Sequence, residues 1–172
     1  MLRVTGAVCI IAGCTGMGIF YRQRLHAAVR HLHYMQWIME LFISQVRYGK
    51  ATLPECCRQV GEKAREPYGQ ALLSIHSEME QHDGYNFHEK WQAKMGKVLQ
   101  DIPVTTAEKN IFLGFSECSG LADNLMQVRA IEQCRDMLVS AVKSREDNLE
   151  KQGRLAAGLG IMSGLLLTVI LL

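Results

Sequence analysis

Two stretches of this 172-residue chain carry no charged side chain: residues 4–21 and residues 155–172 contain no Asp, Glu, Lys or Arg. All 17 acidic residues, and all of the 19 basic ones except Arg3, therefore fall between Arg22 and Arg154. That distribution speaks against a freely soluble globular protein, although 48% hydrophobic and 21% charged residues would look ordinary as averages. It also speaks against a multispan transporter, for which two runs are too few. The segment between the runs balances 18 basic residues against 17 acidic ones, so no basic field marks a nucleic-acid binder.

The usual signatures of chemistry are missing as well. The six cysteines contain no C-x-x-C pair: Cys9 and Cys14 lie in the first uncharged run, Cys56 and Cys57 are adjacent, and Cys118 and Cys134 stand apart. Adjacent helical positions point about 100° apart, which makes a shared ligand site at Cys56 and Cys57 awkward. Reduced thiols suit a cytoplasmic domain. His31 and His33, two residues apart, would face nearly opposite sides of a helix; with His26 they read as solvated or headgroup-facing. No glycine-rich phosphate loop, G-x-S-x-G elbow or H-E-x-x-H helix occurs. The sequence therefore offers no catalytic residue, no metal ligand and no cofactor site.

What is present begins with the two runs themselves. Eighteen helical residues span about 27 Å, close to the roughly 30 Å hydrocarbon thickness of a bilayer. The second run is leucine-rich from Leu155 to Leu172, and the first is diluted by Gly6, Gly13, Gly16 and Gly18. Both are expected to be transmembrane helices, residues 1–21 and 155–172, around a domain of residues 22–154. Ala156, Gly160 and Gly164 form a four-residue stripe of small side chains, which would let helix backbones pack closely. Arg22, Arg24 and Arg30 follow the first run, and Lys143, Arg145, Lys151 and Arg154 precede the second. Positive charge stays on the cytoplasmic side, so the central domain is expected to be cytoplasmic with both termini outside. One alternative competes. Ile11-Ala12-Gly13-Cys14 has the form of a lipobox, and acylation at Cys14 would make the chain a lipoprotein-like extracytoplasmic binding module.

The central domain reads as all helix, since no long stretch alternates β-branched with polar residues. From residue 24 to 48, Leu25, Val29, Leu32, Met35, Ile38, Met39, Phe42 and Val46 recur at the spacing of one helical face. Tyr48-Gly49 ends this helix, with Gly49 expected to take the positive φ of the reversal. Thr52 with Glu55 is a capping box and Pro54 fits the first turn it opens. Further helices are predicted over residues 68–81 and 87–99, with a turn at Asp83-Gly84 between them. Thr105 with Glu108 starts another, which ends near Ser119-Gly120. Asp123 should cap the last helix, whose seam is Leu125, Val128, Ile131, Cys134, Leu138, Val142 and Leu149 and which should pass through Gly153 into the second run. The expected architecture is an all-α bundle of about five to six helices flanked by an N-terminal and a C-terminal transmembrane helix.

Over essentially its whole length the chain resembles the stage III sporulation protein AB family of endospore-forming bacteria. The likeness rests on the two terminal runs, on Val46-Arg47-Tyr48-Gly49 followed by Thr52-Leu53-Pro54-Glu55, and on Leu113-Gly114, Gly120, Asp123 and Gln127 in that order. It departs from the usual family pattern at Gln45, Arg47, Ala51-Thr52-Leu53 and Cys56-Cys57. The resemblance implies a non-enzymatic component of a secretion-like channel complex between mother cell and forespore, held in the membrane on the mother-cell side. It further implies likeness to a helical domain of the platform protein of type II secretion and type IV pilus machines. The implied partners are a cytoplasmic secretion-type ATPase (the AA subunit), other membrane subunits of the complex, and the lipid bilayer; a homo-oligomer is compatible. Tyr48, Gly49, Leu53, Pro54, Gly120, Asp123 and Gln127, at the two turns that flank the long helices, are the residues expected to form a partner-facing corner.

Overall fold

A computed structural model describes the backbone of residues 2–81, 86–120 and 124–171, and the side chains of residues 23–81, 86–117 and 125–149. The described chain is helical, without strands: α1 (Leu2–Gly49), α2 (Leu53–Gly61), α3 (Tyr68–Glu80), α4 (Phe87–Gln100), α5 (Thr106–Gly114), a 3₁₀ segment (Phe115–Gly120) and α6 (Asn124–Leu171). Among the described residues no helix is long and apolar enough to cross a membrane. The two uncharged runs, with Ala156, Gly160 and Gly164, lie outside the residues whose side chains are described.

α1 and α6 form an antiparallel pair. Ala28, Leu32, Met35, Ile38, Met39, Phe42 and Val46 are buried on α1, and Val128, Ile131, Cys134, Leu138 and Val142 are buried on α6. The anticipated α6 seam holds from Val128 to Val142: Leu149 is only half-buried, and Leu125 is 58% exposed, because it lies off the stripe that runs through Val128 and Ile131. His33 with Glu146 and Arg47 with Glu132 tie the helices at two levels, fourteen residues apart on each. α6 continues through Gly153 without a break, as expected.

The four short helices wind between the long ones. Gly61 and Gly69 let α2 and α3 approach closely: a Cβ on Gly69 would sit 2.6 Å from the Ala64 carbonyl oxygen, and one on Gly61 would sit 2.9 Å from Leu73 Cγ. Trp91 on α4 centres an aromatic cluster, with ring centroids 4.9 Å from Phe115, 5.4 Å from Phe112, 5.7 Å from Phe87 and 5.9 Å from Phe42. Its indole N–H donates to the Phe112 carbonyl at 3.3 Å, so a large ring is buried with its one polar atom satisfied.

The helix starts divide in their capping. Thr105 Oγ1 accepts from Glu108 N and the Glu108 carboxylate accepts from Thr105 N, the expected box. Asn86 and Glu89 build a second box at α4 that the sequence reading passed over. At α2 the expected box does not form. Thr52 makes no side-chain cap, and the Glu55 carboxylate, the other half of the expected box, is held instead by Arg58 and Gln59 one turn on. α5 stops at Gly114, earlier than expected, and the chain tightens into the 3₁₀ segment that carries Phe115 into the core.

Glu108 also fastens α5 to α6. Its carboxylate accepts from Arg145 Nε at 2.8 Å and from Arg145 Nη2 at 3.0 Å in a fork that is nearly closed to solvent. Burial by itself would raise the Glu108 pKa, but Arg145 and the Thr105 N–H and hydroxyl outweigh it and hold it below the ordinary 4.5. A carboxylate lowered in the folded state contributes stability that is complete above pH 4.5 and lost as pH falls through the folded value. Arg145→Ala, which strands a buried carboxylate, is expected to cost about 3 kcal/mol near neutral pH. Glu108→Gln should flatten the acid limb of a plot of unfolding midpoint against pH. An unchanged acid limb would show that the pair carries no linkage.

Candidate functional site

The α1–α2 turn, the start of α4 and the start of α6 meet at one end of the bundle around a cleft of about 730 Å³. Leu53, Met79 and Phe87 give it an apolar floor beside Pro54, and Lys50 and Glu117 stand on its rim. Gln127, half-buried one turn into α6, lines the same cleft. Three of the residues singled out from sequence, Leu53, Pro54 and Gln127, are thus brought together. The Pro54 carbonyl accepts from His76 Nδ1 at 3.1 Å, which ties the start of α2 to α3.

The other candidates fall differently. Tyr48 is 79% exposed and does not line the cleft. Gly49 is the last helical residue, and the positive φ expected of it belongs instead to Lys50, at φ 49°. The helix runs one residue further than the glycine suggested, and Ala51 N then donates back to the Gln45 carbonyl at 3.3 Å to close the turn. Gly120 ends the 3₁₀ segment. Asp123, expected to cap α6, and the Asp83-Gly84 turn lie outside the described residues.

No reactive constellation opens into the cleft among the described residues. His88 Nδ1 stands 2.9 Å from Ser116 Oγ, a pairing 28 residues apart that local spacing could not disclose. Ser116 is fully buried and its hydroxyl donates to the Leu113 carbonyl at 2.8 Å, so its oxygen is the acceptor for His88 and its proton is committed. The pair is a structural strut, not a nucleophile and base. Cys56, Cys57 and Cys134 are buried thiols. Burial, with the Glu55 charge behind it, pushes the Cys56 thiol up to about 12, and burial carries Cys57 well above the usual thiol range. His31 and His33 diverge as their spacing requires. His33 reaches Glu146, whereas His31 is half-buried against the Tyr68 hydroxyl, where burial and then Arg30 lower its pKa. Among the described residues no group of three or more His, Cys, Asp or Glu could hold a metal ion. Among the described residues, the cleft offers an apolar floor with polar groups at its edge and no paired nucleophile and base.

The stage III sporulation protein AB family model matches residues 3–172. The chain belongs to that family. It is similar to the stage III sporulation protein AB of Bacillus subtilis (strain 168), with 22% identity over 172 residues and the whole of both chains covered. A solved structure of a stage III sporulation protein AB shares the fold, with a TM-score of 0.64 at 14% identity, over 72% of this chain and 97% of that one.

Lys50 gives the corner a simple test. A lysine in the left-handed region carries a steric cost of about 1–2 kcal/mol that glycine does not. Lys50→Gly is therefore expected to raise the stability of the full-length protein by about 1 kcal/mol, read as a later denaturant midpoint. Gly49→Ala should be well tolerated, since the helical backbone suits alanine and the nearest obstacle is the flexible end of Gln45. The reverse ranking would return the strained position to Gly49.

Proposed function

We propose that the chain is a non-enzymatic membrane platform in the sporulation complex between mother cell and forespore. In this reading it spans the mother-cell membrane twice, and its cytoplasmic bundle docks a secretion-type ATPase and other subunits through the corner around Leu53, Pro54 and Gln127. The observation that carries the reading is the register of α1 against α6. His33 pairs with Glu146 and Arg47 with Glu132, so each residue further toward the N-terminus of α1 lies opposite one further toward the C-terminus of α6. Extended along the two helices, that register sets Tyr21 opposite residue 158, about three residues from the start of the second uncharged run at Leu155. Both runs would then enter one membrane at nearly the same level. The cleft lies at the opposite end of the bundle, where it would face the cytoplasm.

A compartment reporter inserted at Asp83-Gly84 in a sporulating host is expected to read cytoplasmic. An external signal would reverse the orientation, exclude contact with a cytoplasmic ATPase and favour an acylated module anchored at Cys14.

Docking is tested separately. Tyr48→Ala, at an exposed side chain, should reduce capture of the ATPase by the full-length protein while leaving its unfolding midpoint nearly unchanged, and Asp123→Lys should reduce capture with stability lowered by about 1 kcal/mol through loss of the expected cap. Normal capture by both folded variants would remove this corner as the docking surface.

A further inference from the structure

The turn between α2 and α3 is fastened to α1 through two tyrosine hydroxyls, and one of the contacts can titrate. The Arg65 backbone N–H donates to the Tyr34 hydroxyl, and Tyr68, the first residue of α3, sets its own hydroxyl 3.3 Å from His31 Nδ1. His31 and Tyr34 stand three residues apart, on one face of α1. Rings close the contact: the Tyr68 centroid lies 5.2 Å from that of Tyr34 and 6.2 Å from that of His31, and Tyr34 stacks on Trp37 at 5.1 Å. On its other side Tyr68 meets Phe112 edge-on at 6.4 Å, so its ring is held from both sides.

The direction of the bond to His31 follows from burial. Tyr68 is 1% exposed, and burial raises its pKa well above the usual phenol value, so the hydroxyl keeps its proton. Among the described residues its hydrogen-bond partner is His31 Nδ1, which accepts that proton while the imidazole is neutral. A proton on Nδ1 turns the acceptor into a donor, and two hydrogens then face each other. The surrounding charges do not compensate. Arg30 of α1 and Arg65 of the turn line the same cavity of about 190 Å³ as His31, Tyr34 and Tyr68, and the carboxylate among its lining residues, Glu66, is exposed and screened by water. Burial first, and Arg30 second, lower the His31 pKa below 6.5. The stability contributed by its neutral form is therefore complete above pH 6.5 and lost as pH falls through the folded value. His76, on α3 of the same hairpin, behaves differently. Its Nδ1 donates to the Pro54 carbonyl and its Nε2 stands 3.5 Å from Glu80, so a proton there strengthens a contact instead of removing an acceptor.

We propose that His31 is a proton-sensitive latch on the α2–α3 hairpin: neutral, it holds the turn at Tyr68 against α1, and protonated, it lets the turn go. The open end of the same hairpin carries Leu53, Pro54 and Met79 into the cleft. α2, nine residues long, joins that end to the turn. The latch thus sets, by pH, how firmly the element that floors the cleft is held to α1. It does not depend on what the cleft docks.

The test follows hydrogen–deuterium exchange of the full-length protein in detergent from about pH 8 to about pH 5, above the ordinary carboxylate range, with the intrinsic exchange rate at each pH divided out. Protection of the segment 62–69 is expected to fall roughly fivefold, the equivalent of one hydrogen bond. The midpoint of that fall should lie below pH 6.5. Segments within α4 and the α6 seam should keep their protection. His31→Gln, which retains an acceptor but cannot titrate, should abolish the pH dependence. His33→Gln, which removes an exposed titrating neighbour, should preserve it. Tyr68→Phe should show the released level across the whole range. A flat wild-type profile, or a wild-type profile surviving in His31→Gln or Tyr68→Phe, would overturn the latch. So would its equal loss in His33→Gln, or an equal fall in every helix, which is general acid unfolding. If Tyr68→Phe fails to fold, the two histidine variants decide the matter between them.

Discussion

The antiparallel contact of α1 with α6 is the constraint on which the rest of the structure depends. Its apolar seam, Leu32 to Val46 against Val128 to Val142, is almost completely withdrawn from water. Each such side chain contributes roughly 1.5–3 kcal/mol on burial, whereas an exposed ion pair contributes at most about 1 kcal/mol. Packing therefore decides that the helices pair. His33–Glu146, with both side chains about half exposed, and Arg47–Glu132 can only help choose the register. Once that register is set, the short helices have a fixed frame, and both ends of the bundle are determined together.

The short helices are held to this frame in two ways. Trp91 gathers Phe42 of α1, Phe87 and the pair Phe112–Phe115, so one ring joins four segments of chain. Rings meeting edge to face, as Trp91 and Phe115 do at 76°, hold orientation as well as area. Glu108 acts at the other side, where one carboxylate starts α5 and clasps Arg145 of α6. Lys90 is similar in kind: its buried ammonium donates to the Glu78 carbonyl at the end of α3 and joins two helices at a terminus that needs a donor.

Periodicity made most of this legible. The stripe from Leu32 to Val46, the α6 seam from Val128 to Val142, and the Thr105–Glu108 box follow from spacing alone, because each depends on residues within a turn or two of one another. Readings failed where a side chain had a competing partner at similar range. Glu55 could serve Thr52 or Arg58, and the arginine, which supplies charge and a two-pronged donor, took it. Gly49 attracted the positive φ by residue type, yet helical hydrogen bonding carried one residue further and left the turn to Lys50. The cleft was legible only in part. Leu53, Pro54 and Gln127 stood out locally, but Phe87, Met79 and the His88–Ser116 strut arrive from other elements, and no single stretch of sequence records that meeting.

The two ends of the bundle differ in chemistry in a way that suits different neighbours. At the cleft, the apolar floor of Leu53, Met79 and Phe87 is bordered by one cation and one carboxylate, Lys50 and Glu117. Such a surface gains from excluding water against another folded surface and has little long-range field to attract a charged one. At the other end, Arg30 and Arg65 stand beside the Glu66 carboxylate, and Arg58 holds Glu62. The rigid α1–α6 pair separates these surfaces along its length. On the proposed reading, the same helices that fix the register also hold the docking corner at a set height above the bilayer, so contact at one end and anchoring at the other constrain a single rigid body.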